Sequence, residues 1–140
     1  MILTRRDILS TGVSAAALAA FGGVPAFASL ADEAIAALVG DADLTEGGIS
    51  LTAPEIAENG NTVPIGVDAP GAVEVALFAD GNPTPAVATF KFGPLSADRS
   101  ATTRIRLAKT QNVIAVAKME DGTFQREAAN VKVTIGGCGG

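Results

Sequence analysis

The sequence predicts one all-β sandwich domain with a short helix in front of it. Three observations carry this. From Ile49 to Ile135 the chain divides into seven or eight short runs rich in β-branched and apolar residues. Gly, Pro, Asn and Asp punctuate those runs at close spacing, as in a sandwich of short strands. The 112 residues left after an N-terminal leader suit one domain of this kind.

Residues 1–28 read as an export leader. Arg5 and Arg6 form a charged head, small apolar residues run from Gly12 to Ala20, and Ala26-Phe27-Ala28 supplies an A-x-A site with the cut before Ser29. Thr4–Ser10, TRRDILS, resembles a twin-arginine (Tat) signal, with Ile8 and Leu9 in its apolar positions. That route exports folded proteins. The run is rich in Ala and Gly and broken by Pro25, whereas a membrane anchor needs about 20 strongly apolar residues. No other stretch qualifies as an anchor.

The helix is expected in SLADEAIAALVG. Ser29 is its candidate N-cap, Asp32 and Glu33 fill the first turn, and Gly40 stops it. Leu30, Ala34, Ala37 and Leu38 share one face, with Ile35 beside it. Strands follow. ISLTAP alternates up to Pro54. The run around Val63–Val67 contains Pro64, which points to an edge or a bulge. AVEVALFAD is apolar and ends at the Asp80-Gly81-Asn82-Pro83 turn. VATFKF carries β-branched and aromatic residues. TTRIRLA sets Thr103, Ile105 and Leu107 against Thr102, Arg104 and Arg106. NVIAVAK reads as a buried strand. Glu120–Thr123, around Asp121-Gly122, makes a hairpin loop into TFQRE. NVKVTI sets Val131, Val133 and Ile135 against Lys132 and Thr134. Residues 29–135 thus form the sandwich with its helix, and 136–140 form a flexible arm.

Composition excludes several chemistries. Without Arg5, Arg6 and Asp7 the chain keeps 8 basic and 14 acidic residues, a net charge of −6. Such a chain gains nothing from the phosphate neutralisation that drives nucleic-acid binding. It also lacks Trp and Tyr for base stacking. With no His, no Ser-His-Asp or Cys-His pair forms. One Cys and no His build no zinc, haem or iron–sulfur site, and no run matches an EF-hand loop. No metal or other cofactor is therefore expected.

The one cysteine, Cys138, lies between Gly136-Gly137 and Gly139-Gly140. An odd Cys in an exported chain points to an intermolecular bond or a reactive thiol. The flanking glycines give backbone freedom and remove bulk on both sides. Extended, residues 136–138 reach about 10 Å, enough for the thiol to enter a narrow cleft of another protein. Nothing local activates the thiol. The nearest charge in sequence is the carboxylate of Gly140, which disfavours a thiolate, and Lys132 is six residues away. Partners would have to supply the chemistry, which fits a carrier better than an enzyme. Prenylation needs the Cys fourth from the end, not third. Ubiquitin-like carriers use a terminal Gly-Gly carboxylate and have no need of the Cys.

GGCGG, the Tat-like leader and the stretches LTAPEIAENGNTVPIGV, FADGNPTPAVATFKF and TRIRLAKTQNVIAVAKMEDG resemble the SoxY family over essentially the whole chain. The family supplies the sulfur-substrate carrier of the thiosulfate-oxidizing Sox system. The resemblance implies an immunoglobulin-like sandwich, although the immunoglobulin Cys…Trp…Cys core is absent here. It implies a periplasmic heterodimer with SoxZ and covalent attachment of substrate at Cys138. SoxXA would conjugate thiosulfate as a cysteine S-thiosulfonate, SoxB would release sulfate, and in many organisms SoxCD would oxidise the remaining sulfane sulfur.

A different class of reading is a non-catalytic adhesion or structural sandwich tethered by a Cys138–Cys138 disulfide between chains. A stand-alone thiol oxidoreductase is disfavoured by the single Cys and the lack of a nearby base. Arg104 and Arg106 could meet an anionic adduct or an acidic partner, but a solvated face with ion pairs is the more ordinary role. Asn59-Gly60-Asn61 reads as a turn. Phe78, Phe90 and Phe92 read as core or subunit interface.

Overall fold

The first element is a helix, α1, at Phe27–Val39. The computed structural model describes residues 27–135; the leader through Ala26 and the 136–140 segment lie outside the described residues. The helix starts two residues before Ser29, so Ser29 is within its first turn and is not the cap. Asp32 and Glu33 then fall beyond the first turn, which holds no acid. Gly40 does end the helix, at φ 60°, with its N–H donating to the Ala36 carbonyl at 2.9 Å. The buried stripe is Ala31, Ile35 and, half-buried, Leu38; Ala37, expected on that face, is exposed. A stripe at i, i+4 and i+7 is the one that meets a flat sheet.

Nine strands follow among the described residues: β1 Leu44–Glu46, β2 Ser50–Thr52, β3 Ile56–Ala57, β4 Val63–Asp68, β5 Ala72–Ala79, β6 Ala86–Lys91, β7 Ser100–Ile105, β8 Gln111–Met119 and β9 Phe124–Val133. The large sheet has the order β1-β9-β8-β5-β6, with β3 also paired to β9; the small sheet has the order β2-β4-β7. The sandwich expected from sequence is present, with α1 as a third layer on the large sheet.

That third layer explains the most apolar runs. The inner face of the large sheet gives Val75, Leu77, Val113, Ala115 and Val131 to a core shared with Val63, Ile65, Val67, Ile105 and Leu107 of the other layer. Its outer face gives Ala76, Phe78, Ile114, Val116 and Phe124 to a second cluster around Ile35 of α1. β5 and β8 are therefore buried on both faces and lose the two-residue alternation. β7, covered on one face, keeps it, and the chain just past its end does too: Ile105 and Leu107 are buried, while Thr102, Arg104 and Arg106 are exposed. Each large side chain so buried contributes about 1.5–3 kcal/mol.

Three sequence readings change. TFQRE and NVKVTI are one strand, β9, because β8 pairs with it continuously from Gln111↔Val131 to Lys118↔Phe124. β1 and β3, which the sequence reading missed, pair with β9 in parallel. Two or three residues with no alternation give no strand signal. Pro64 lies in the middle strand of the small sheet rather than in an edge strand. It is tolerated because β2 pairs only with Gly66–Asp68, so β4 at Pro64 is bonded to β7 alone. The Glu120–Thr123 hairpin is present. Gly122 donates to the Met119 carbonyl at 3.0 Å and adopts φ 86°.

Candidate functional site

The candidate attachment residue Cys138 and its glycines Gly136, Gly137, Gly139 and Gly140 lie outside the described residues. The structure defines the root from which they depart. β9 has β8 on one side and β1 and β3 on the other, so its C-terminal end is held from both sides. The hold covers the end of the strand and the two residues past it. The Lys132 N–H donates to the Glu55 carbonyl at 2.9 Å, and the Thr134 N–H to the Ala57 carbonyl at 3.1 Å. The Thr134 hydroxyl donates to the Glu58 carbonyl at 3.0 Å, and the Val133 N–H donates to Thr110 Oγ1 at 2.9 Å. Finally, the Ile135 carbonyl accepts from the Gly60 N–H at 2.8 Å.

Gly60 joins the two layers. It is buried, and its own carbonyl accepts from the Leu107 N–H at 2.8 Å. Asn59-Gly60-Asn61 is a turn, as the sequence suggests, since the Asn61 N–H donates to Asn59 Oδ1 at 3.0 Å. It is also the clamp between the end of β9 and the exit of β7. Nothing in its sequence signalled that second role, because both partners are distant in the chain.

A buried amide pair braces the same end of the sandwich. Asn82 and Gln111 are the buried polar residues among those described. Asn82 Nδ2 donates to the Arg106 carbonyl at 2.8 Å, while Asn82 Oδ1 accepts from the Ala108 N–H and from Gln111 Nε2, both at 2.9 Å. Gln111 Oε1 accepts from the Gly81 N–H at 2.8 Å. The Asp80-Gly81-Asn82-Pro83 segment, read as a turn, thereby fixes the chain that carries Arg106. A further bridge runs from Asp80, which accepts from the Asn112 backbone N–H and from Asn112 Nδ2, both at 2.8 Å, to Asn130.

Arg104 and Arg106 are exposed, and among the described residues neither forms an ion pair, contrary to the ion-paired face expected. They continue an outer face that bears a groove of about 460 Å³, lined by Thr52, Pro64, Gly66, Asp68 and Thr102 among others. Phe78 packs under α1, whereas Phe90 and Phe92 are half-buried against the main core. Among the described residues no group of three or more Cys, Asp or Glu is placed to hold a metal. No described helix is long and apolar enough to cross a membrane.

Fold and root together define a class: a β-sandwich domain whose last described strand is held firmly at its end and is followed in sequence by a glycine-flanked cysteine. The family model for the sulfur oxidation protein SoxY matches residues 35–138, which include the Cys138 position. The chain belongs to the SoxY family. It is similar to the solved sulfur carrier protein SoxY of Chlorobium limicola f thiosulfatophilum, with 40% identity and a TM-score of 0.67 over 77% of this chain and 99% of that one. It also matches a superoxide reductase (neelaredoxin) of Ignicoccus hospitalis, with 16% identity and a TM-score of 0.55 over 62% of this chain and 80% of that one. A putative superoxide reductase of Thermotoga maritima matches with 16% identity and a TM-score of 0.52 over 69% and 89%. At that identity these two share the fold alone. No curated protein matches the chain.

Proposed function

We propose that this chain is a covalent carrier of sulfur substrate in thiosulfate oxidation, with Cys138 as the attachment point and no catalytic activity of its own. One observation carries the reading. The last strand of a sulfur-oxidation family sandwich is hydrogen-bonded through Ile135, and the only thiol of the chain follows three residues later between glycines.

The chemistry follows from what the chain lacks. With no His and a single Cys, it supplies a thiol and little else. In loading, the Cys138 sulfur and the sulfane sulfur of thiosulfate form an S–S bond. Two electrons pass to the oxidising partner, for which the family suggests the haem protein SoxXA, and the thiol proton goes to solvent. Water then attacks the terminal sulfur within SoxB. Sulfate and protons leave, and a persulfide stays on Cys138. SoxCD, where present, oxidises that sulfur. The other subunit of the carrier is SoxZ. The Tat-like leader places the mature chain, cut before Ser29, in the periplasm after folding.

Intact mass tests the reading. With thiosulfate and the oxidising partner, the chain should gain the mass of one thiosulfate unit, and Cys138→Ser should gain nothing. A Cys138→Ser chain that still loads overturns the assignment. If a Cys138-linked dimer were the working form, reduction to the monomeric thiol would abolish function; the carrier reading expects function to survive or rise.

A further inference from the structure

We propose that Arg104 and Arg106 form an oxyanion site beside the root of the arm, and that its occupant is the sulfonate end of the adduct on Cys138. This rests on the carrier reading and adds the residues that hold the cargo between partners. Position, charge and surface each contribute an observation.

Position comes first. Gly60 accepts from Leu107 and donates to Ile135, both at 2.8 Å. With one residue of backbone between those bonds, Ile135 O and Leu107 N are no more than about 10 Å apart. Residues 136–138 span about the same distance when extended, so the Cys138 sulfur can reach back over Arg106. Arg104 pairs with Pro64 in the adjoining register, on the same exposed face. Arg106 follows β7 directly, and residues two apart in extended chain are about 7 Å from each other, so two arginines can close on one tetrahedral oxyanion.

Charge distinguishes these arginines from the others. Arg99 pairs with Glu120 and Arg126 with Glu46, both at 3.5 Å. Arg104 and Arg106 pair with no acid among the described residues, in a chain of net charge −5. Guanidinium forks bind planar or tetrahedral oxyanions through parallel charge-assisted hydrogen bonds. The surface agrees. α1 covers the large sheet, but no described helix covers the outer face of the small one. The groove on that face has Asp68 toward one end and Pro64, beside Arg104, toward the end nearest the arm. An anion entering it is favoured at the arginines and repelled at Asp68.

The test uses the mature chain loaded chemically. Tetrathionate transfers one thiosulfate unit to the reduced thiol and releases thiosulfate and a proton, and intact mass verifies the adduct. Arginine Nε–Hε signals are then compared by NMR. Loading should shift Arg104 and Arg106 and leave Arg99 and Arg126 in place; reduction should reverse the shifts, and Cys138→Ser should show none. A chain loaded by mass whose Arg104 and Arg106 signals stay in place overturns the site. It leaves the carrier reading intact, because that reading is tested by enzymatic loading. An R104Q/R106Q double variant should lose its adduct to an uncharged thiol about two- to fivefold faster. R104K/R106K, which keeps charge but loses the fork, should fall between. Equal rates in all three chains overturn the proposal as well.

Discussion

The two ends of the sandwich are made by the same strands and are held in different ways. At the end away from the arm, β8 turns into β9, and ion pairs with one exposed partner each add to backbone bonds such as that from the Phe124 N–H to the Asp43 carbonyl at 2.8 Å. Lys91 meets Glu74 at 3.9 Å, and Arg99 and Arg126 meet Glu120 and Glu46 at 3.5 Å. At the arm end the ties are hydrogen bonds: the buried Asn82–Gln111 amides, the Gly60 clamp, and the exposed threonine bonds to β9 and Asp80–Asn112 bridge. Exposed pairs contribute about 0–1 kcal/mol each. Buried amides cost far more when broken, since each lost partner strands another polar group. The end where β9 finishes thus relies on amide hydrogen bonds where the other adds ion pairs, and among the described residues Arg104 and Arg106 pair with no acid.

Breaking the arm end should have the largest effect. Asn82→Ala strands the Ala108 N–H and the Arg106 carbonyl and leaves Gln111 Nε2 with the Lys109 carbonyl alone, and should cost about 3 kcal/mol by denaturant unfolding. A midpoint equal to that of the unaltered chain would mean the network contributes nothing. Two glycines give the next contrast. A Cβ on Gly81 would lie 2.8 Å from Gln111 Cβ, so Gly81→Ala should cost about 2 kcal/mol by overpacking. A Cβ on Gly122 meets nothing within 4 Å, but φ is 86°, so Gly122→Ala should cost only about 1 kcal/mol through backbone strain. The reverse order in thermal unfolding would show that the far end is the tighter one.

Ion pairs should matter less. Glu120→Gln removes the partner of Arg99 and should shift stability by less than about 1 kcal/mol, and by less still in high salt. The smallest effect is a titration at the far hairpin. Asp121 accepts from the Thr123 hydroxyl at 2.6 Å and from the Thr123 N–H at 2.9 Å, and these bonds, the hydroxyl's first, hold its carboxyl below the ordinary value of 3.8. A depressed folded pKa means the contribution is present above pH 3.8 and is lost as pH falls through the folded value. Thr123→Val should move the Asp121 titration, followed by NMR, upward toward 3.8.

How much was legible depends on the range of each interaction. The β7 alternation, the hairpin at Gly122 and the Gly40 stop follow from residues a few positions apart, and all three are present. The helix start was misplaced because Phe27 and Ala28, treated as part of the leader, continue the helix. β1 and β3 were invisible because two or three residues become strands only when β9 offers them hydrogen bonds. Gly60 looked like any turn glycine, and Asn82 like any turn asparagine.

By itself the sequence determined the sandwich class, the apolar strands, the acidic balance and a lone thiol between glycines, because composition and short periodicities are local properties. Only the tertiary structure decided where that thiol is anchored. The root at Ile135 is fixed by Gly60, Ala57 and Thr110, and the nearby arginines by Asn82, across sequence gaps of tens of residues. Hydrogen bonds of that range exist only once the two sheets have closed on their core.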